Sequence, residues 1–299
     1  MSISVIIPAF NSENHIHSAL ESVVNQTCQP KEVIVIDDAS TDNTANLVLE
    51  QYPSVNLIQL RENGGAARAR NKGLSVASGE LIAFLDSDDQ WLPNYLETQI
   101  NALAGAPDAV LVVCDYLAVK RNGSEITIST KPLSIYPDLT HHLLVYNFIP
   151  TMSLVVLRKK MLPETSPLRE DLKIAHDFDL YLRLSTAGNI LHVPHTLMRK
   201  VDHSDNLTAN YRQCLDETYQ ALDSFFNSEA GQAYSHLQPE VKAKWSFNFS
   251  KWVWDSHGDY VFSTLTLLNA LRHAPKLALQ KAISQSISRL SAFGSQFKA

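Results

Sequence analysis

The chain has 299 residues, enough for one large domain or two ordinary ones, and its 45% hydrophobic and 19% charged residues are typical of a globular protein. Its formal net charge of -6 argues against a nucleic-acid-binding surface, which is normally basic. No apolar run is long enough to span a bilayer and no basic segment precedes the first apolar stretch, so we expect a cytoplasmic protein without a signal peptide.

Strand and helix patterns alternate through the first hundred residues. Apolar runs typical of buried strands occupy residues 3–7, 32–37, 55–60 and 81–86. Amphipathic patterns typical of helices occupy residues 13–25, 42–51, 66–75 and 93–104. This alternating order predicts an α/β fold with a mostly parallel open sheet and helices on both faces.

Polar residues follow each of the predicted strands. Phe10 and Asn11 follow the first strand, Asp37 and Asp38 end the second, and residues 63–65 (Asn-Gly-Gly) follow the third. The carboxyl ends of parallel strands lie along one edge of the sheet, where open α/β sheets bind ligands. We therefore expect these scattered residues to converge at one site.

The most informative of these segments is Asp86, Ser87, Asp88 and Asp89, directly after the fourth apolar run. Carboxylates at the end of a buried strand repel each other and lose hydration unless a cation or a donor-rich partner lies between them. Hard divalent cations such as Mn2+ or Mg2+ prefer oxygen ligands, and a diphosphate is a common further ligand. The segment predicts a metal–nucleotide site, the alternative being that the aspartates only cap turns and helices.

The pattern changes after about residue 108. Residues 109–114 and 153–157 are predicted strands, residues 121–124 a hairpin turn, and residues 175–187 a helix. Beyond residue 210 the strand patterns disappear, and four amphipathic helices are predicted at residues 214–227, 240–255, 260–272 and 275–290. We place a domain boundary near residue 210.

Four blocks of this sequence together resemble family 2 glycosyltransferases with the GT-A fold. The blocks are residues 4–11 (SVIIPAFN), 33–42 (VIVIDDASTD), 63–73 (from NGG to ARNKG) and 84–89 (FLDSDD). The resemblance covers residues 1–210, and it implies a nucleotide-sugar half at 1–105, an acceptor half at 106–210 and a helical C-terminal region at 211–299. The family's chemistry is inverting transfer of a sugar from a nucleotide donor, usually a UDP-sugar, to an acceptor hydroxyl.

The resemblance implies a role for the residues of the metal–nucleotide site. Asp88 takes the position of the metal-binding aspartate, and Asp86 either accepts hydrogen bonds from ribose or sugar hydroxyls or supports the metal. Asp89 is instead a candidate cap for the following helix. Asp38 is assigned to the N3–H of uracil, because a bare carboxylate facing a diphosphate would be repelled. The remaining residues assigned to the nucleotide are Pro8, Ala9, Phe10, Asn11 and Arg70.

The resemblance also implies a catalytic base. In the family the base comes from a Glu-Asp pair at the start of a helix. The matching stretch here begins His176, Asp177, Phe178, Asp179. Asp177 takes the position of the base, and Asp179 is the fallback candidate. The sequence departs from the family at His176, which replaces the usual Glu and either tunes Asp177, contacts the acceptor, or does neither.

Two further features leave alternatives open. His203 lies where many family members have a loop histidine, which implies a metal ligand or a diphosphate contact, although a solvated loop histidine fits equally well. The C-terminal helices are assigned three alternative roles: a lid on the acceptor groove, a homodimer contact, or peripheral attachment at the inner face of the membrane near a lipid-linked acceptor. Their aromatic cluster, which the helical spacing favours as core rather than as a stacking or membrane surface, is Trp245, Phe247, Phe249, Trp252 and Trp254.

Two other functions compete with sugar transfer. A sugar nucleotidyltransferase would need a glycine-rich phosphate loop after the first strand, and residues 8–13 (PAFNSE) contain no glycine. A catalytically silent nucleotide-sugar binder or scaffold remains an alternative because of the departure at His176. The sequence identifies neither the sugar nor the saccharide or lipid-linked acceptor, and it leaves dTDP open beside UDP.

Overall fold

The structure is a computed structural model that describes residues 1–120, 123–131, 138–164, 167–201 and 210–275. Its strands are β1 (Ile3–Ala9), β2 (Glu32–Asp37), β3 (Asn56–Gln59), β4 (Leu81–Phe84), β5 (Asp89–Trp91), β6 (Ala109–Val119), β7 (Glu125–Ile128), β8 (Val155–Arg158) and β9 (Asn189–Val201). Its helices are α1 (Ile16–Val24), α2 (Thr44–Gln51), α3 (Ala66–Val76), α4 (Tyr95–Ala104), α5 (Leu139–Val145), α6 (His176–Ser185), α7 (Tyr211–Phe226), α8 (Gln238–His257) and α9 (Tyr260–His273).

The strands form one sheet in the order β3-β2-β1-β4-β8-β6-β9-β5, with β7 paired to β6. The first four predicted strands are confirmed, and β3-β2-β1-β4 are all parallel. The other half of the sheet is mixed, because β8 runs antiparallel to β4 and β6 while β9 runs parallel to β6. Strands β6 and β7 pair antiparallel, as the predicted hairpin requires.

The centre of the sheet is a continuous apolar layer. Every residue of β1 and β4 is buried, as expected for strands covered on both faces. Helix α3 packs closely on this layer at Gly73, where an added Cβ would lie 2.4 Å from Cγ2 of Ile6. This close approach fixes α3, and with it Arg70, against the strands whose ends form the candidate site.

Replacing Gly73 by Ala should lower the free energy of unfolding by about 1–3 kcal/mol, because the new methyl group overpacks the buried Ile6. The loss is expected although Ala is the better helix former by about 1 kcal/mol. Chemical denaturation measures the effect. Gly105→Ala is the matched control, since the nearest atom to its added Cβ is 3.7 Å away, and equal stability of the two variants would contradict the packing at Gly73.

The described chain divides into two compact units. The first comprises Met1–Leu143 and residues 147–209 as far as they are described, and the second comprises Leu144–Tyr146 and the described residues from Asn210 onward. The second unit contains α7, α8 and α9 close to the predicted bounds, whereas the helix predicted at 275–290 lies outside the described residues. None of the described helices is long and apolar enough to cross a membrane.

The aromatic cluster of α8 is divided between core and surface. Phe247 and Phe249 are buried, and Phe247 packs with Ala243 and Ala270 in the core of the second unit. Trp254, by contrast, is 40% exposed. The core interpretation is therefore confirmed for the two phenylalanines and is wrong for Trp254, which lies on the outer side of the helix.

Candidate active site

The three aspartates that follow β4 form a compact acidic cluster. One carboxylate oxygen of each of Asp86, Asp88 and Asp89 lies within 4.8 Å of the others. A turn brings them together, since the Asp89 N–H donates to the Asp86 carbonyl at 3.1 Å where β4 gives way to β5. Three carboxylates this close would repel each other in the absence of a cation.

Asp89 is the most deeply buried member of the cluster. It is 1% exposed, and neither of its carboxylate oxygens has a hydrogen-bond partner among the residues that the structure describes. Burial raises the pKa of Asp89 to about 7, Lys200 opposes the shift, and Asp86 and Asp88 add to it. The prediction that Asp89 caps the following helix is wrong, because Asp89 begins β5 and α4 starts only at Tyr95.

Lys200 faces this cluster from β9. It is the register partner of Asp89, and its Nζ lies 3.7 Å from Asp89 Oδ1. Burial disfavours the charged ammonium, but Asp89, Asp86 and Asp88 raise the pKa of Lys200 above its usual value. Lys200 and Arg70, which binds Asp86, supply two positive charges for three carboxylates. One negative charge is left over and the oxygens of Asp89 lack hydrogen-bond partners, so this donor set fits a hard divalent cation.

Asp86 is held by groups from three parts of the chain. Its Oδ1 accepts from Arg70, its Oδ2 accepts from Thr151 Oγ1 at 2.9 Å, and its own N–H donates to Ser153 Oγ at 2.9 Å. Burial would raise the pKa of Asp86, but Arg70 and then Lys200 hold it below its usual value. Asp86 is therefore an ionised, firmly oriented carboxylate.

The buried guanidinium of Arg70 also binds His176. Its NH1 lies 2.6 Å from His176 Nε2, which must accept because a guanidinium only donates. Burial and the charge of Arg70 lower the pKa of His176 to about 3, so its imidazole is neutral at physiological pH. This contact was not among the alternatives predicted for His176: its side chain is a hydrogen-bond acceptor for Arg70.

Asp177 lies next to His176 in the first turn of α6. It is half-buried, and its Oδ1 accepts the N–H of Phe178 at 2.6 Å. Burial raises the pKa of Asp177 to about 6, against the lowering effects of the Phe178 N–H and Arg70. The carboxylate is thus mostly ionised at neutral pH and basic enough to accept a proton.

The fallback base Asp179 is engaged elsewhere. Its carboxylate is buried and bound by Arg183 at 2.8 Å, and Arg169 lies 3.6 Å away. A buried carboxylate whose oxygens face two guanidinium groups is poorly placed to meet an acceptor hydroxyl. The geometry therefore favours Asp177 over Asp179.

Apart from Arg70 of α3, the residues assigned to the nucleotide base lie at the carboxyl ends of β1 and β2. Pro8 and Ala9 are buried in β1, whereas Phe10 is 47% exposed. Asn11 adopts a left-handed conformation with φ of 48°, and its Oδ1 accepts the N–H of Thr41 at 2.9 Å. The turn after β1 therefore leaves the ring of Phe10 exposed, next to backbone that is hydrogen-bonded to the loop after β2.

Asp38 is committed to the loop after β3. Its carboxylate accepts the N–H of Gly64 at 3.0 Å and the N–H of Gly65 at 2.7 Å. Gly65 has φ of 89°, a left-handed value that glycine adopts without strain. A carboxylate has about four lone-pair sites, so Asp38 retains acceptor capacity for another donor.

These contacts confirm the expected convergence at one edge of the sheet. Ser12 Oγ and Ser87 Oγ, 2.8 Å apart, join the loop after β1 to the acidic cluster, and Arg70 joins the cluster to α6. His203 lies outside the described residues. Three residues of the site were not predicted from the sequence: Lys200, Thr151 and Ser153. Lys200 reaches the site because β9 pairs with β5, and the other two lie in the turn before β8; neither segment has a recognisable local motif.

A family model described as glycosyl transferase family 2 matches residues 4–164, more than half of the chain. An uncharacterised glycosyltransferase of Rickettsia typhi is 29% identical over 75% of this chain and 71% of its own length. A UDP-Glc:alpha-D-GlcNAc-diphosphoundecaprenol beta-1,3-glucosyltransferase of Escherichia coli is 46% identical, but this match covers only 34% of this chain and 40% of the relative.

Solved structures share the same architecture. S. aureus TarS 1-349 in complex with UDP-GlcNAc has a TM-score of 0.67 at 22% identity, covering 93% of this chain and 83% of its own. The mannosyltransferase PcManGT from Pyrobaculum calidifontis, in complex with GDP-Man and Mn2+, has a TM-score of 0.62 at 20% identity, covering 95% and 80%. At these identities the likeness shows the fold, and it confirms the expected GT-A architecture with C-terminal helices.

Proposed function

The chain belongs to glycosyl transferase family 2, and on that premise we propose that it is a metal-dependent inverting transferase that moves a sugar from a UDP-sugar to an acceptor hydroxyl. One observation supports the assignment above all others. Arg70 binds both Asp86 of the acidic cluster and His176, so the cluster is tied to the first turn of the helix that carries Asp177. A cation for the leaving diphosphate and a base for the acceptor hydroxyl are the two functions that the proposed reaction needs.

The acidic cluster would hold the cation. Asp88 is the proposed direct ligand, with Asp86 and the orphaned oxygens of Asp89 beside it. A bound Mn2+ or Mg2+ would neutralise the charge that develops on the leaving diphosphate. Lys200 adds a fixed positive charge at the same place, and Thr151 keeps Asp86 oriented.

The chemical step falls to Asp177. Its carboxylate takes the proton of the acceptor hydroxyl while the acceptor oxygen forms a bond to the anomeric carbon, and the bond from that carbon to the nucleoside diphosphate breaks. A single displacement of this kind inverts the anomeric configuration. The Phe178 N–H fixes the orientation of the carboxylate before the acceptor arrives.

The donor base is proposed to bind at the ends of β1 and β2. Phe10 presents an exposed ring for stacking on uracil, and Asp38 accepts the uracil N3–H with lone pairs that Gly64 and Gly65 leave unused. Pro8, Ala9 and Asn11 supply the backbone of this pocket. The terminal nitrogens of Arg70 are already bound to His176 and Asp86, so we propose that Arg70 acts on the donor through Asp86.

The acceptor is proposed to be a saccharide, soluble or lipid-linked, used in the assembly of a bacterial surface polysaccharide or glycolipid at the cytoplasmic face of the membrane. The support is the Escherichia coli relative, whose name specifies a GlcNAc-diphosphoundecaprenol acceptor. An acidic cluster of this kind can bind either Mn2+ or Mg2+. The proposal includes both hexosyl and N-acetylhexosaminyl donors.

A thermal-shift screen of UDP, dTDP, GDP and CDP, each with and without Mn2+ or Mg2+, tests the proposal. UDP with a cation should raise the melting temperature most, because we propose that this site binds UDP most tightly. A ligand present at 100 times its Kd stabilises the folded protein by about 2.7 kcal/mol. A screen of UDP-sugars then tests turnover. UDP binding without turnover of any sugar would favour the silent binder, and no nucleotide binding at all would overturn the assignment.

The transfer rate should depend on pH through Asp177. The base works in its ionised form, so kcat/KM should fall as the pH drops through about 6 and level off above that value. The dependence of kcat/KM on pH, measured with saturating cation, should show this decrease at acid pH. A rate that stays constant from neutral pH well into the acid range would contradict a carboxylate base with a raised pKa.

Substituting His176 tests why this chain lacks the family's glutamate. In His176→Glu a new carboxylate neutralises Arg70 and adds a negative charge beside Asp177, and both changes raise the pKa of Asp177. We expect the acid limb of kcat/KM to move up by about one pH unit. In His176→Gln a neutral side chain still accepts from Arg70, so the acid limb of kcat/KM should stay in place. Identical pH profiles for the two variants would refute the idea that a neutral residue at position 176 keeps the pKa of Asp177 low.

A further inference from the structure

Lys173 lies in the segment that leads into α6, and its ammonium reaches the loop after β3. Its Nζ donates to the carbonyl of Gly64 at 2.8 Å. Its side chain also passes over Gly65, where an added Cβ would lie 3.5 Å from Cδ of Lys173. The N–H groups of the same two glycines bind Asp38. One basic and one acidic side chain therefore meet at this loop.

The segment that carries Lys173 is fixed on both sides of it. The Asn71 side chain of α3 accepts the N–H of Leu168 at 3.0 Å and donates to the carbonyl of the same residue at 2.8 Å. Leu172 and Ala175, which flank position 173, are buried. The backbone that presents the ammonium is therefore held in place by the fold.

The ammonium of Lys173 retains donor capacity. Lys173 is exposed, and the carbonyl of Gly64 is its one hydrogen-bond partner within the described part of the chain. An ammonium has three donors, so two are left for a ligand. Arg68, another cation beside this loop, is already paired with Glu62 at 2.9 Å. Lys173 is therefore a side-chain donor available to a ligand that lies against Asp38.

A uracil ring calls for a donor and an acceptor side by side. Its N3–H needs an acceptor, for which the proposed function assigns Asp38, and its neighbouring O4 needs a donor that a carboxylate cannot supply. Cytosine has the opposite pattern, with an acceptor at N3 and an amino group at C4. A carboxylate beside an ammonium thus matches uracil at both atoms and opposes cytosine at both.

We propose that Lys173 donates to O4 of uracil and makes the donor site select uracil over cytosine. This inference rests on the proposed function, because it takes the base to lie with its N3–H on Asp38. A contact between Lys173 and the diphosphate fits less well. We propose that the diphosphate lies at the acidic cluster after β4, and β4 is three strand spacings, roughly 14 Å, from β3 in the sheet.

Calorimetric titration of UDP and of CDP, each with Mn2+, into the parent chain and into Lys173→Met tests the proposal. Methionine keeps an unbranched stem and removes the ammonium. We expect the affinity for UDP to fall about tenfold, the effect of losing one hydrogen bond from a charged donor, while the affinity for CDP does not fall. Equal losses for the two nucleotides would place Lys173 on the ribose or diphosphate and overturn the proposal, as would undiminished UDP binding.

Lys160→Met is the matched control. Lys160 is an exposed lysine just after β8, whose end pairs with the start of β4 and so lies at the opposite edge of the sheet from the site. Its loss removes the same charge and should leave both titrations unchanged. The parent chain separates the two levels of the argument. Binding of neither nucleotide would refute the proposed function itself, whereas a preference for UDP that survives in Lys173→Met would refute only the role of Lys173.

Discussion

Asp177→Asn should reduce sugar transfer by about 10^2–10^4-fold while leaving donor binding unchanged. The amide keeps the size of the side chain, and its oxygen can still accept the Phe178 N–H, so α6 should begin as before. What is lost is a basic oxygen for the proton of the acceptor hydroxyl. Initial rates with saturating donor and acceptor, together with calorimetric titration of the donor, measure the two effects separately.

Asp179→Asn is the matched control for that experiment. It removes the same charge two residues along α6, but from a carboxylate that Arg183 and Arg169 already bind. We expect this variant to lose stability while the folded protein retains transfer. Full activity in Asp177→Asn would remove Asp177 from the mechanism, and selective loss in Asp179→Asn would move the base to position 179.

Asp88→Ala should weaken UDP binding in the presence of Mn2+ by at least tenfold, the lower limit for loss of even an outer-shell partner of a metal. Without metal the effect of the substitution on UDP binding should reverse or disappear, because the variant carries one negative charge fewer where we propose that the diphosphate lies. Calorimetric titrations with Mn2+ and with a chelator provide the comparison. This crossed dependence distinguishes a metal ligand from a residue that only shapes the fold.

Asp108→Ala supplies the control, since Asp108 is an exposed aspartate just before β6 and outside the acidic cluster. Its loss should leave both titrations unchanged. Metal-dependent UDP binding of parental strength in Asp88→Ala would exclude Asp88 as a ligand and leave Asp86 and Asp89 as the remaining candidates.

Local patterns were sufficient for much of the first half of the fold. Strand β2 has the predicted bounds of 32–37, and β1 and β4 start where their apolar runs begin. Strand β5 escaped prediction because Asp89, Gln90 and Trp91 form only three residues with no alternation to detect. It exists because β9, more than a hundred residues later, pairs with it.

The chemistry of the site was predictable in kind but not in its connections. The acidic cluster and Asp177 can be identified from their own segments, whereas the partners of Asp86 and Arg70 cannot. His176 is visible in the sequence as a departure from the family, yet its partner lies 106 positions earlier. Only the folded chain shows that the neutral imidazole is a hydrogen-bond acceptor for a buried guanidinium.

That single guanidinium has a thermodynamic consequence. If a donor and its cation bind at the acidic cluster as proposed, a shift of Asp86 would be transmitted to Arg70 and, through His176, to the first turn of the helix that presents Asp177. Occupancy of one subsite must then alter the free energy of filling the other, by the same amount in both directions. Under the proposed function, the affinities for donor and acceptor would not be independent, and the link between them would be one buried side chain.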